Sequence, residues 1–154
     1  MTNALHVEVP QPAKILLRIA AVLWLIWGLV HAFAGVMTIV LDTPQAVAGI
    51  ADAVAPAALD VDYPAAAGAI MNQHGFNLLW IGCVTTICSI FIWRASAPAI
   101  FIAALTGGLA DIGYFVFLDL GGFVNFAPGT VMTIFSATAI ATSFYAYFGS
   151  LRTT

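Results

Sequence analysis

His31 and Asp111 are the two ionisable residues set deep inside otherwise apolar stretches of this chain. Such a group at the centre of a membrane-spanning helix costs at least about 2.5 kcal/mol, so it takes a partner or a task. An imidazole and a carboxylate together can hold and pass a proton, attract a cation, or ligate zinc, iron or manganese. His31 lies thirteen residues beyond Arg18, and Asp111 thirteen residues beyond Pro98. At the helical rise each is about 20 Å into its span, so the two share a layer. Asn77 and Trp80 reach comparable depth when counted back from Arg94, and Thr133 and Ser136 enter the same zone from the last apolar stretch. The matched depth predicts a functionally coupled pair, His31 with Asp111.

Helical spacing sorts the neighbours by face. Trp24, Gly28, His31 and Gly35 form one stripe; Gly107, Asp111, Tyr114, Phe115 and Leu118 form another, with Asp119 at its outer edge. Gln73, Asn77 and Trp80 align, while Asn72 and His74 sit at the outer mouth. The expectation is a polar pocket built from His31, Asp111, Asn77, Trp80, His74, Tyr114 and Asp119. The tryptophans at 24, 27, 80 and 93 read by default as packing or lipid-facing residues. The chain has no His-Glu-x-x-His, no Gly-x-Ser-x-Gly, no P-loop and no paired-cysteine metal site. Two histidines and two aspartates can ligate a metal, but their spacing over three helices is no recognised signature. Haem ligation by His31 and His74 is weaker still, because His74 lies nearly 10 Å farther out. The sequence names no cofactor.

Four long apolar stretches must carry these residues: about 15–40, 70–93, 99–118 and 129–148. A bilayer core of about 30 Å needs about 20 helical residues, and the stretches lack the period-two alternation of barrel strands. The fold class is therefore an all-α integral membrane protein, one four-transmembrane-helix bundle over residues 1–154. Pro98 suits the first turn of the third helix, and Gly121-Gly122 through Ala127-Pro128 separates the third from the fourth. Pro10 and Pro12 are expected to keep the polar N-terminus out of the first helix. Asp42-Thr43-Pro44 reads as a helix start, and predicts a short helix on the outer surface between helices 1 and 2. Asp62-Tyr63-Pro64 reads as the next start. With Arg18, Gly28 and His31, the first span resembles the opening helix of small four-helix DoxX-like membrane proteins. The likeness covers that one helix, and no residue role is carried over from it.

Composition agrees with the class. Residues of the AVILMFWYC set make up 62% of the chain and charged residues 7%, with a mean hydropathy of +1.03. Soluble domains carry about 25% charged residues, so a soluble enzyme, a disordered tail and a disulfide-stapled module are excluded. The net charge of −3 gives no basic surface for nucleic acid. Lys14, Arg18, Arg94 and Arg152 all fall at the same end of four spans, which the positive-inside rule makes cytoplasmic together with both termini. Asp42, Asp52, Asp60, Asp62 and Asp119 fall in the opposite loops. Ala32-Phe33-Ala34 has the look of a leader-cleavage site, but the apolar run continues well past it, so the first span is expected to be retained. Cys83 and Cys88 are about 140° apart around one helix, wrong for a mutual disulfide, and read as small packing residues.

In lipid, small residues let helices approach. Gly129, Thr133, Ala137 and Ala141 make a ridge at four-residue spacing, beside a stripe of Ser136, Ala139 and Ser143. These are expected contact surfaces, within the bundle or between protomers. Beyond the lipid bilayer itself, the partners expected are further copies of the chain or a larger membrane complex. Three function classes remain: a proton- or cation-linked transporter or channel-like protein using the His31–Asp111 layer; a non-catalytic accessory subunit; and an intramembrane metal-dependent or redox enzyme using His31, His74 and Asp111.

Overall fold

A computed structural model describes residues 10–151. Its helices, in chain order, are α1 (Gln11–Val40), α2 (Thr43–Ile50), α3 (Pro56–Leu59), α4 (Ala65–Trp93), α5 (Ala97–Tyr114) and α6 (Val131–Ala146). A π-helical turn, Phe115–Asp119, extends α5; others, Phe126–Thr130 and Tyr147–Leu151, bracket α6. No strand occurs among the described residues. Four of the helices, with their extensions, are long and apolar enough to cross a membrane: Gln11–Val40, Ala65–Trp93, Ala97–Asp119 and Phe126–Gly149.

Proline sets several helix starts. α1 begins at Gln11, four residues before the apolar run, with Pro12 inside its first turn instead of outside the helix. The reason is that proline's missing N–H is harmless in a first turn and its fixed φ suits one. Pro64 immediately precedes α4, which starts five residues before Ile70, and Pro98 lies in the first turn of α5. Hydropathy marks the apolar stretch and not the helix, so α1 begins before its apolar run. α4 begins where Pro64 signals a start and not at Ile70, and both helices close at the expected Val40 and Trp93. α2 starts at the Asp42-Thr43-Pro44 signal, with the Asp42 carboxylate accepting from Gln45 N at 2.9 Å.

The long helices form a closed ring, α1 against α4 and α6, and α5 against α4 and α6. The pair α1/α4 is the most extensive, and glycine makes it so. Gly28 and Gly35 of α1 meet Gly82 and Gly75 of α4 in antiparallel order. A Cβ at Gly35 would overlap the Leu79 backbone nitrogen, and one at Gly82 the Ala32 nitrogen. The two backbones touch directly, the contact that membrane helices obtain from small residues.

The ring is filled from α1. Trp24 and Trp27 are fully buried, their rings edge-to-face at 5.6 Å, and the Trp24 ring lies on Gly107 of α5. Toward the end bearing Lys14, Arg18 and Arg94, the interior is closed by Leu17, Ile92, Ile100, Ala103 and Ala139. Arg18 places its guanidinium 5.2 Å from the centre of the Trp93 ring, tying α1 to the end of α4 there. Arg152 and the N-terminal tail with His6 lie outside the described residues. The buried stripe of α6 is Ser136, Ala139, Ser143 and Ala146. Ala137 and Ala141 of the four-residue ridge are exposed, while Gly129 meets Tyr114, so the ridge is a contact within the chain only toward its Gly129 end. Cys83 is exposed and Cys88 buried, both as free thiols.

Candidate functional site

The site begins on one turn of α1. His31 Nδ1 lies 2.8 Å from the Trp27 carbonyl, four residues back, and its ring stacks on the Trp27 indole at 3.6 Å and 17°. A carbonyl can only accept, so this contact puts a proton on Nδ1 and leaves Nε2 to face the bundle. Trp27 Nε1 donates to Asp111 Oδ2 at 2.8 Å, across the ring from α1 to α5. His31 Nε2 stands 3.9 Å from Asp111 Oδ1, an ion-pair distance. A bare Nε2 facing an ionised carboxylate would set lone pair against lone pair. The separation is beyond hydrogen-bond distance, and one proton on the pair makes the approach attractive, drawn either as imidazolium and carboxylate or as imidazole and carboxylic acid. From α6, the Ser136 hydroxyl is within reach of the same carboxylate, while also donating to the Thr133 carbonyl at 3.0 Å.

This pair is the floor of a cavity of about 490 Å³ at the end of the bundle remote from the basic residues. His74, Asn77, Leu78 and Ile81 wall it from α4, and Gly113, Tyr114, Phe117 and Leu118 from α5 and its extension. Gly49, Ile50 and Asp52, from α2 and the loop after it, form its rim. The rim is tied to the far loop: Asn125 N donates to Asp52 Oδ1 at 2.6 Å, Asn125 Nδ2 to the Asp52 carbonyl at 2.9 Å, and Ala53 N to the Phe123 carbonyl at 3.1 Å. Tyr114 lays its hydroxyl on Gly129, where a Cβ would overlap it. Glycine at 129 is therefore a condition of the tyrosine's position.

His31, His74, Asn77, Asp111 and Tyr114 come together in this cavity. Trp80 and Asp119 do not line it. Trp80 is exposed on the outside of α4, donating to Asn77 Oδ1 at 3.2 Å. The face of α4 turned inward runs through 74, 77, 78 and 81, about 100° from the one chosen through Gln73. Asp119 accepts from Thr130 Oγ1 at 2.8 Å and clasps the two π-helical turns together. Trp27 and Asp52 belong to the site and were not assigned to it from sequence. Trp27 had a signal, standing one turn before His31. Asp52 had none, because the loop's fold brings it there.

A second hollow reaches Asp111 from the flank. Between α5 and α6 runs an apolar groove of about 440 Å³, with Leu105, Ile112, Phe115, Ile140 and Phe144 among its walls and Asp111, Thr133 and Ser136 along it. Among the described residues no three His, Cys, Asp or Glu side chains gather to hold a metal. Comparison with protein-family models, with curated proteins and with solved structures gives no match, so the reading of the site stands on its own geometry.

Proposed function

We propose that this is a multi-pass membrane protein that moves a small solute in a proton-linked manner, with its binding cavity open to the non-cytoplasmic side. The orientation follows from Lys14, Arg18 and Arg94 at the closed end. On that orientation α2 and α3 would lie on the outer surface. The observation that carries the reading is the His31–Asp111 pair, an imidazole and a carboxylate 3.9 Å apart at the floor of a one-ended cavity. The packed tryptophans and aliphatics beneath it favour alternating access over an open pore. A pore would need a polar path where Trp24, Leu17 and Ile100 now lie.

Two measurements test this in membranes, with Cys83 and Cys88 replaced by alanine. Gly113→Cys should react with an impermeant thiol reagent added outside, and not with the same reagent added inside. Infrared difference spectra on acidification should show a band of Asp111, from carboxylate or carboxylic acid, that Asp111→Asn removes. Labelling from the cytoplasmic side alone, or difference spectra indifferent to Asp111→Asn, would overturn the proposal. A second reading, an accessory subunit, is favoured by the outward ridge of Ala137 and Ala141, which fits a further helix.

A further inference from the structure

We propose that the solute is a small hydrophobic organic cation, a quaternary or protonated amine, which binds at Asp111 in place of the proton shared with His31. The inference rests on the transport reading and names its substrate class.

Charge is the first argument. The cavity's lining includes Asp52 and Asp111 and no Lys or Arg. Other titratable groups around Asp111 are His31 from α1, His74 from α4 and Tyr114 from its own helix, while α6 contributes only the Ser136 and Thr133 hydroxyls. Anions therefore meet no compensating positive side chain, and a cation meets a carboxylate 4% exposed. The walls are the second argument. Ile50, Leu78, Ile81, Phe117 and Leu118 offer apolar surface and the Tyr114 ring, which suit an alkylated or aromatic ammonium. They do not suit a hard metal ion, which takes about six or more oxygen ligands. Size is the third, since about 490 Å³ lies in the usual range for small-molecule sites. Finally, the apolar groove between α5 and α6 brings a lipid-facing hollow to the same carboxylate, as a solute partitioning into lipid would use.

The exchange balances. With one proton, the His31–Asp111 pair is neutral. When the proton leaves to water, neutral His31 and ionised Asp111 carry one negative charge, and the arriving cation restores neutrality. Proton and cation thus compete for one carboxylate, and by linkage each weakens the other's binding.

The test uses the full chain in lipid nanodiscs, with phenyltrimethylammonium and tetraphenylphosphonium as probes. At least one should bind, releasing a proton into weakly buffered medium and binding more weakly as pH falls. Benzenesulfonate should not bind, and tert-butylbenzene, the uncharged shape of phenyltrimethylammonium, should not displace it. Asp111→Asn keeps an acceptor for Trp27 and should weaken cation binding roughly 10- to 100-fold, the loss of one charged contact. Gly113→Leu, at a position where a Cβ meets nothing within 4 Å, should fill the cavity and weaken binding while leaving the Asp111 infrared band in place. Displacement by tert-butylbenzene, or failure of both cations to bind, would overturn the cation assignment. If Gly113→Cys still labelled from outside and Asp111 still gave its infrared band, the transport reading would survive that failure.

Discussion

Trp27 has two tasks at the site, and both can be separated by substitution. Its ring stacks on His31 and its N–H donates to Asp111. Trp27→Phe keeps much of the stacking and removes the donor, leaving a buried carboxylate oxygen without its partner. The expected cost is about 1–3 kcal/mol, read as a lower melting temperature in mild detergent. An unchanged melting temperature would mean that the carboxylate finds another donor, such as Ser136. His31→Ala and Asp111→Asn should each impair function, and the double variant should cost little more than Asp111→Asn alone, because His31 acts through that carboxylate. Additive losses would mark two independent roles.

Between elements, α1 and α4 are held by glycine. Gly35→Leu would drive a side chain into the Leu79 backbone, and Gly82→Leu one into Ala32, so either should prevent the pair from closing. Both variants should fail to yield a monodisperse protein. Gly113→Ala is the contrast: nothing lies within 4 Å of its Cβ, and alanine adds about 1 kcal/mol of helix propensity. It should melt at or above the parent temperature. On α6, Ala137→Leu should leave the melting temperature of the single chain unchanged, because Ala137 faces outward. A loss of oligomers on size-exclusion chromatography would then show that the ridge meets another helix outside the chain.

For the whole molecule, the asymmetry between its two ends matters most. One end is closed by apolar packing and carries Lys14, Arg18 and Arg94; the other is hollow and carries Asp52, Asp60, Asp62 and Asp119. With the basic end cytoplasmic, Asp60→Cys should be labelled by an impermeant reagent from outside and Ser96→Cys should not. The reverse pattern would invert the cavity along with the chain. The segment from α2 to α3 crosses the hollow end and is fastened through Asp52 and Asn125. Asn125→Ala removes the amide's bond to the Asp52 carbonyl but keeps the backbone one. It should speed labelling at Gly113→Cys if this segment limits access.

By itself the sequence determined the all-helical class, the four helices long and apolar enough to cross a membrane, the shared depth of His31 and Asp111 and the bias of charge. Each follows from one-dimensional quantities: hydropathy, rise per residue and the order of basic residues. The starts of α2 and α4 were also legible, through Asp42-Thr43-Pro44 and Pro64, because capping and proline chemistry are local. Only the tertiary structure decided how each helix is rotated about its axis. A uniformly apolar helix carries almost no pattern to say which face looks inward. The face of α4 through Gln73 and Trp80 is not the one turned inward, and on α6 only the structure selects the stripe of Ser136, Ala139 and Ser143 over the ridge of Ala137 and Ala141. Rotation depends on where a neighbour's backbone can come close, which Gly28, Gly35, Gly75 and Gly82 settle between α1 and α4. The same packing carried Trp27 across the ring to Asp111 and brought Asp52 to the rim, contacts between residues 84 and 73 positions apart in the chain.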